Sequence, residues 1–187
     1  MTASTRDLDP RRLDVAAFAA AKGELAGVWP ADRLSRLVAA TLAPPDGSAR
    51  RDVAWQVSGE RRVLPGAGAQ PSLAVGADTE VTLECQRCLQ PMRVALHAER
   101  RVFFVEGEEA AEALDADSED DVLALTPALD LAELIEDELL LALPLVPRHE
   151  QCPEPLARAF VEEDAAADPA DHPFAALAAL KRGPLPN

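Results

Sequence analysis

The sequence has no tyrosine and only five phenylalanines and two tryptophans in 187 residues. Little aromatic surface is therefore available to fill an interior or to stack on nucleic-acid bases, so Leu, Val and Ala must build the core. No run of the ~18 uncharged apolar residues needed to span a membrane exists; the longest apolar stretch, Leu139 to Val146, is far too short. The opening residues, Met1 to Arg12, are polar and charged and lack the apolar core and cleavage site of a secretory signal. A cytoplasmic protein without membrane contact is expected. Cysteine is scarce as well, and an odd count of three in a reducing compartment argues for thiols or metal ligands over disulfides.

Basic residues are the other shortage. Against 33 acidic side chains stand 18 basic ones, a net charge of −15. Phosphate backbones repel such a chain, which excludes a protein that coats RNA with its whole surface. The acidity is localised, however. Residues 1–105 are close to neutral at +2, residues 106–171 carry −19, and residues 172–187 return to +2 through Lys181 and Arg182. Within the acidic third, Glu106 to Asp121 has no basic residue and Leu114 as its one large apolar side chain. Burial cannot offset the entropy of ordering it, so a mobile loop is expected there.

The remaining pattern is helical, then extended, then helical. Asp9-Pro10 opens a helical stripe of Leu13, Ala16, Ala17 and Ala20 that Gly23 stops, and a short second helix follows Pro30 up to Pro44-Pro45. From Arg50 the period becomes two, with Val53, Trp55 and Val57, then Leu73 and Val75, Val81 and Leu83, Val94 and Leu96, and the run 100–105. Asp121 to Leu125 can add a further strand. After Pro127, Leu131, Leu134, Ile135, Leu139 and Ala142 share a helical face, with Glu133, Glu136, Asp137 and Glu138 mostly opposite as a solvated face. The expected fold is α+β: an antiparallel β-sheet or partly closed barrel flanked by N-terminal and C-terminal helices. One domain is expected over 1–161, then a linker at 162–171 and a C-terminal helix and tail at 172–187.

Cys85-Gln86-Arg87-Cys88 follows a strand, and His149-Glu150-Gln151-Cys152 repeats the spacing some sixty residues later. Together they offer a tetrahedral Cys3His set suited to one structural zinc, with unligated thiols as the alternative. A thiol redox role fits less well, because the pair lies in a hairpin pattern and not between a strand and a helix. Four protein ligands would leave no open position for catalysis. No nucleophile elbow, phosphate-binding glycine loop or dinucleotide fingerprint occurs, so an enzyme and a small-molecule substrate are disfavoured. The rival reading is a zinc-dependent hydrolase or thiol redox enzyme using the same cluster. His97 and His172 read as a strand-surface and a helix-start residue. Two surfaces are candidates for partners. Arg61, Arg62, Arg100 and Arg101 fall in the strand region, where alternate positions can gather some of them on one face for RNA. Glu106, Glu108, Glu109, Asp117, Glu119 and Asp120 can attract a basic protein.

Three blocks carry a resemblance. Val81 to Pro91 (VTLECQRCLQP), Asp130 to His149 (DLAELIEDELLLALPLVPRH) with Cys152 close behind, and Pro173 to Arg182 (PFAALAALKR) are similar, in the same order, to the bacterial YceD family of large ribosomal RNA subunit accumulation proteins. The resemblance implies a cytoplasmic, non-catalytic ribosome-biogenesis factor supporting synthesis, processing or stability of large-subunit (23S) ribosomal RNA. Its partners would be that RNA or basic ribosomal and assembly proteins. It brings no catalytic residues with it.

Overall fold

In the computed structural model, residues 9–153 are described. The chain divides after Gln151, and the fold below is that of the first unit. Helix α1 (Val15–Ala20) is followed by strand β1 (Glu24–Trp29), a 3-10 turn (Ala31–Arg33) and helix α2 (Ser35–Ala40). Strands β2 (Val53–Leu64), β3 (Gly68–Glu84) and β4 (Pro91–Val105) come next, then helix α3 (Glu108–Asp115), strand β5 (Asp121–Ala124) and helix α4 (Leu131–Leu141). The five strands form one open sheet in the order β1-β2-β3-β4-β5. The first four are antiparallel and β5 runs parallel to β4. The α+β class thus stands, while the sheet is open and not a partly closed barrel: β1 and β5 are its two edges.

Period-two burial makes the core. On one face Val53, Trp55 and Val57 of β2, Leu73, Val75 and Ala77 of β3, and Leu96, Val102 and Phe104 of β4 lie against Val15, Phe18, Leu37, Leu131, Ile135 and Leu139 of the helices. Helix α1 packs on β2 and β3, α4 on β3 and β4, and α2 against α4. Glycine permits the closest of these approaches: a Cβ at Gly59 would meet the Phe18 ring at 2.5 Å and the Ala19 backbone at 3.2 Å.

Three expectations change. The first helix begins at Val15 and not at Pro10, because Asp14 caps it, its carboxylate accepting the Ala17 amide at 2.9 Å. Strand β1, absent from the expected pattern, is held by six register pairs to β2; its Glu-Leu-Ala-Gly-Val-Trp run is too short and mixed to announce itself. Residues 106–121, expected as a mobile loop, contain α3 and open β5. Ala111 and Leu114 join Leu64, Phe103, Val105 and Val122 in a small second core on the opposite sheet face, and the Asp115 carboxylate accepts the Val122 amide at 2.9 Å. Glu108 and Glu109 in the first turn favour the helix N-terminus electrostatically. The linker at 162–171 and the C-terminal helix lie outside the described residues.

Candidate metal centre

Strand β3 outruns its neighbour. Pairing with β2 ends at Asp78, while pairing with β4 continues to Glu84 and Pro91, so the β3-β4 hairpin projects as a two-stranded arm. Cys85 to Gln90 form its turn. The Cys85 amide donates to the Gln90 carbonyl at 3.0 Å and the Leu89 amide to the Cys85 carbonyl at 2.8 Å, with Leu89 in the left-handed region at φ 59°. That conformation is uncommon for a branched side chain, and it lets the chain turn back while both thiols stay on the inner side, buried.

The segment after α4 closes over this turn. Pro144 and Pro147 prevent helix continuation, and the extended chain hands its carbonyls to the hairpin. Pro147 accepts the Gln86 amide at 2.9 Å, and His149 accepts the Arg87 guanidinium at 2.9 Å. His149 then lies on the thiols, its amide 3.4 Å from Cys85 Sγ and its Nδ1 3.4 Å from Cys88 Sγ. With Cys152 the set is complete: the ligand atoms of Cys85, Cys88, His149 and Cys152 all lie within 4.8 Å of one another. Tetrahedral zinc, with Zn–S of ~2.3 Å, holds its sulfurs ~3.8 Å apart, so these four residues fit the ion with small adjustments. Burial opposes ionisation of the Cys85 thiol. Even so, the His149, Arg87 and Cys88 amides and the Cys88 side chain lower its pKa from 9.0 to about 5, making it a ready thiolate ligand. The Cys3His cluster can hold a metal.

The register divides the four candidate arginines between the two sheet faces, Arg61 and Arg100 on one and Arg62 and Arg101 on the other. Register pairs Arg100 with Val75 and Arg101 with Ala74, so neighbouring residues face opposite sides, and the same alternation separates Arg61 from Arg62. Arg62 pairs with Glu60 at 3.0 Å, and Arg61 donates to the Ala69 carbonyl. Arg100 has a structural position, its Nε 2.7 Å from Asp121 and 3.4 Å from Glu138, joining β4, β5 and α4. Burial raises the pKa of Glu138 despite that arginine. The acidic candidates Glu106, Glu108, Glu109, Asp117, Glu119 and Asp120 are all exposed, and among the described residues none is in an ion pair.

One residue assigned to the solvated face of α4 is buried. Glu136 is 6% exposed and caps α2, its Oε1 accepting the amides of Arg36 at 2.7 Å and Leu37 at 3.0 Å. Its Oε2 meets Arg36 Nε at 3.1 Å, and Arg36 reaches on to Asp137. The signal was in the spacing: Ala132, Ile135, Glu136 and Leu139 stand at i, i+3, i+4 and i+7, so the carboxylate lies inside the buried stripe.

The fold and site define an open α+β sheet protein whose hairpin turn carries a Cys3His cluster able to hold a metal. Residues 73–181 match the family described as "Large ribosomal RNA subunit accumulation protein YceD", and the chain belongs to that family. The protein of that name from Haemophilus influenzae is 37% identical over 108 residues, which cover 55% of this chain and 61% of the relative. The chain thus matches less than two thirds of that relative's length. No solved structure matches. The family is named for an accumulation factor and not for a reaction. Among the described residues no helix is long and apolar enough to cross a membrane.

Proposed function

We propose that this protein is a non-catalytic, cytoplasmic ribosome-biogenesis factor that supports synthesis, processing or stability of large-subunit (23S) ribosomal RNA by binding. The observation that carries the reading is the family match over 73–181, which includes all four cluster residues. Cys85, Cys88, His149 and Cys152 would hold one structural zinc, which when bound supplies a cross-link between the hairpin turn and the segment after α4. The exposed carboxylates of 106–120, without ion pairs among the described residues, form a negative surface suited to basic ribosomal or assembly proteins through fields that salt screens.

Removing the gene from its host should lower the ratio of 23S to 16S ribosomal RNA, and the intact gene should restore it; an unchanged ratio overturns the reading. Replacing Glu106, Glu108, Glu109, Asp117, Glu119 and Asp120 by Ser should weaken capture of basic ribosomal proteins at low salt. Equal capture by both proteins refutes the acidic route.

A further inference from the structure

Away from the cysteine cluster, the arm of the β3-β4 hairpin and the α2 layer enclose a cavity of about 360 Å3. We propose that this cavity takes one unstacked nucleotide of single-stranded RNA, its base on the apolar floor and its phosphate on Arg51 at the rim. The inference rests on the ribosomal RNA reading above and gives it a site.

The cavity is built before any ligand arrives. Leu42 bridges to Thr82, its amide donating to the Thr82 carbonyl at 2.8 Å, which fastens the connection between α2 and β2 to the arm. Thr79 donates its hydroxyl to the Arg51 and Asp52 carbonyls, each at 3.2 Å. The rim arginines are fixed too. Arg50 donates to Thr41 Oγ1 at 3.0 Å and the Leu42 carbonyl at 2.8 Å, and its Nε lies 3.8 Å from Asp32. Arg93 is held by Asp46 at 2.8 Å and Glu80 at 3.5 Å. Hydrogen bonds from Ser48 keep Asp46 ionised, holding its pKa below the usual carboxylate value. Arg50 and Arg93 thus serve as preformed walls of the cavity.

Chemistry selects the occupant. Leu37, Val38 and Val81 supply an apolar floor for a base, and Arg50, Arg51 and Arg93 stand at the rim together with Glu80. The volume lies near the lower end for ligand pockets, which suits one nucleotide and not a duplex. Asp32, Asp46 and Glu80 more than balance the charge of Arg50 and Arg93. Arg51 is exposed and makes no ion pair among the described residues, so it is assigned the phosphate. Guanidinium planes and aliphatic side chains replace the aromatic platforms this chain lacks. The large negative charge elsewhere limits contact to this short stretch and disfavours an extended RNA track.

Fluorescence anisotropy of the full chain with a fluorescein-labelled single-stranded RNA ten-mer of mixed sequence, at two salt concentrations, tests the assignment. Arg51→Glu should weaken binding at least tenfold and reduce the salt slope by about 0.7, the value for one single-strand phosphate contact. Val38→Trp should fill the cavity and weaken binding similarly, with thermal melting checking that each variant folds. Arg61→Glu, on another part of the sheet, should bind like the parent. If the parent binds RNA and Arg51→Glu binds equally, or Arg61→Glu loses as much, the cavity assignment fails while the accumulation role stands. If the parent binds no RNA, the assignment also fails, and the ratio of 23S to 16S RNA in the deletion strain reports separately on the broader role.

Discussion

Replacing Glu136 by alanine tests whether α2 is held by a carboxylate borrowed from α4. The residue before α2, Leu34, has no side-chain acceptor, so its first amides depend on Glu136. Removing the side chain leaves the Leu37 amide buried and unpaired and the Arg36 amide partly so, at ~1–3 kcal/mol for each buried unsatisfied group. Water can reach the Arg36 side, so a loss of about 3 kcal/mol is expected for Glu136→Ala. For a domain of this size that is a melting temperature lower by roughly 6–12 °C. Arg36→Ala provides the contrast. Its side chain is 46% exposed, so solvent screens its ion pairs and the variant should cost much less than Glu136→Ala. Glu136→Gln keeps an acceptor without its charge and should fall between, near 1–2 kcal/mol. Urea unfolding followed by far-ultraviolet circular dichroism measures all three. If Glu136→Ala and Arg36→Ala cost the same, the capping argument is wrong and the ion pair is the interaction that matters.

Purified protein should contain about one zinc per chain, and chelation or Cys88→Ser should lower the unfolding midpoint; metal-free protein melting unchanged with and without added zinc refutes a structural ion. His97 Nδ1 lies 2.7 Å from Asp78, and that hydrogen bond and charge, with Glu99 beyond, raise the histidine pKa above 6.5. Its contribution to stability is fully present below 6.5 and is lost as pH rises through the higher folded value. An NMR titration should show a raised midpoint that Asp78→Asn brings down, whereas no movement in that variant counts against the pairing. Gly59→Ala should destabilise by ~1–3 kcal/mol, since a methyl at 2.5 Å from Phe18 and 3.2 Å from the Ala19 backbone forces both away; a neutral result in thermal melting would mean that α1 packs more loosely than described.

Legibility in the sequence followed the range of the interaction. Strands β2, β3 and β4 were readable because Val53, Trp55 and Val57, or Leu73 and Val75, alternate locally, and α4 because its apolar stripe repeats over three turns. The cluster residues were readable from two short motifs, although nothing local places His149 over Cys88. What escaped depends on distant partners. Asp14 as a cap competes with Asp9-Pro10 as an equally good start, and α3 gains its order from Leu64 and Phe103, which the local composition cannot reveal. The gathering of Arg61, Arg62, Arg100 and Arg101 required a register that alternation alone does not provide, and the register sets neighbours back to back. Arg50 and Arg93 line one cavity through long-range contacts such as the bridge from Leu42 to Thr82.

The strands β1 to β4 can meet their neighbours in order as the chain is made, yet three other closures come from one late segment. Leu129 pairs with Leu13, Glu136 reaches the α2 amides 99 and 100 positions earlier, and Pro147 and His149 seize the hairpin turn. A nascent chain therefore carries a finished meander whose apolar face, covered by α1 over β2 and β3, stays open where α4 will pack on β3 and β4 until residues 129–152 have emerged from the ribosome. A chain cut short between β5 and α4 would lose all three closures together and expose the apolar side chains of β3 and β4 that α4 covers to chaperones and proteases. The segment acts as a completeness check: only a chain translated past it can seal its core.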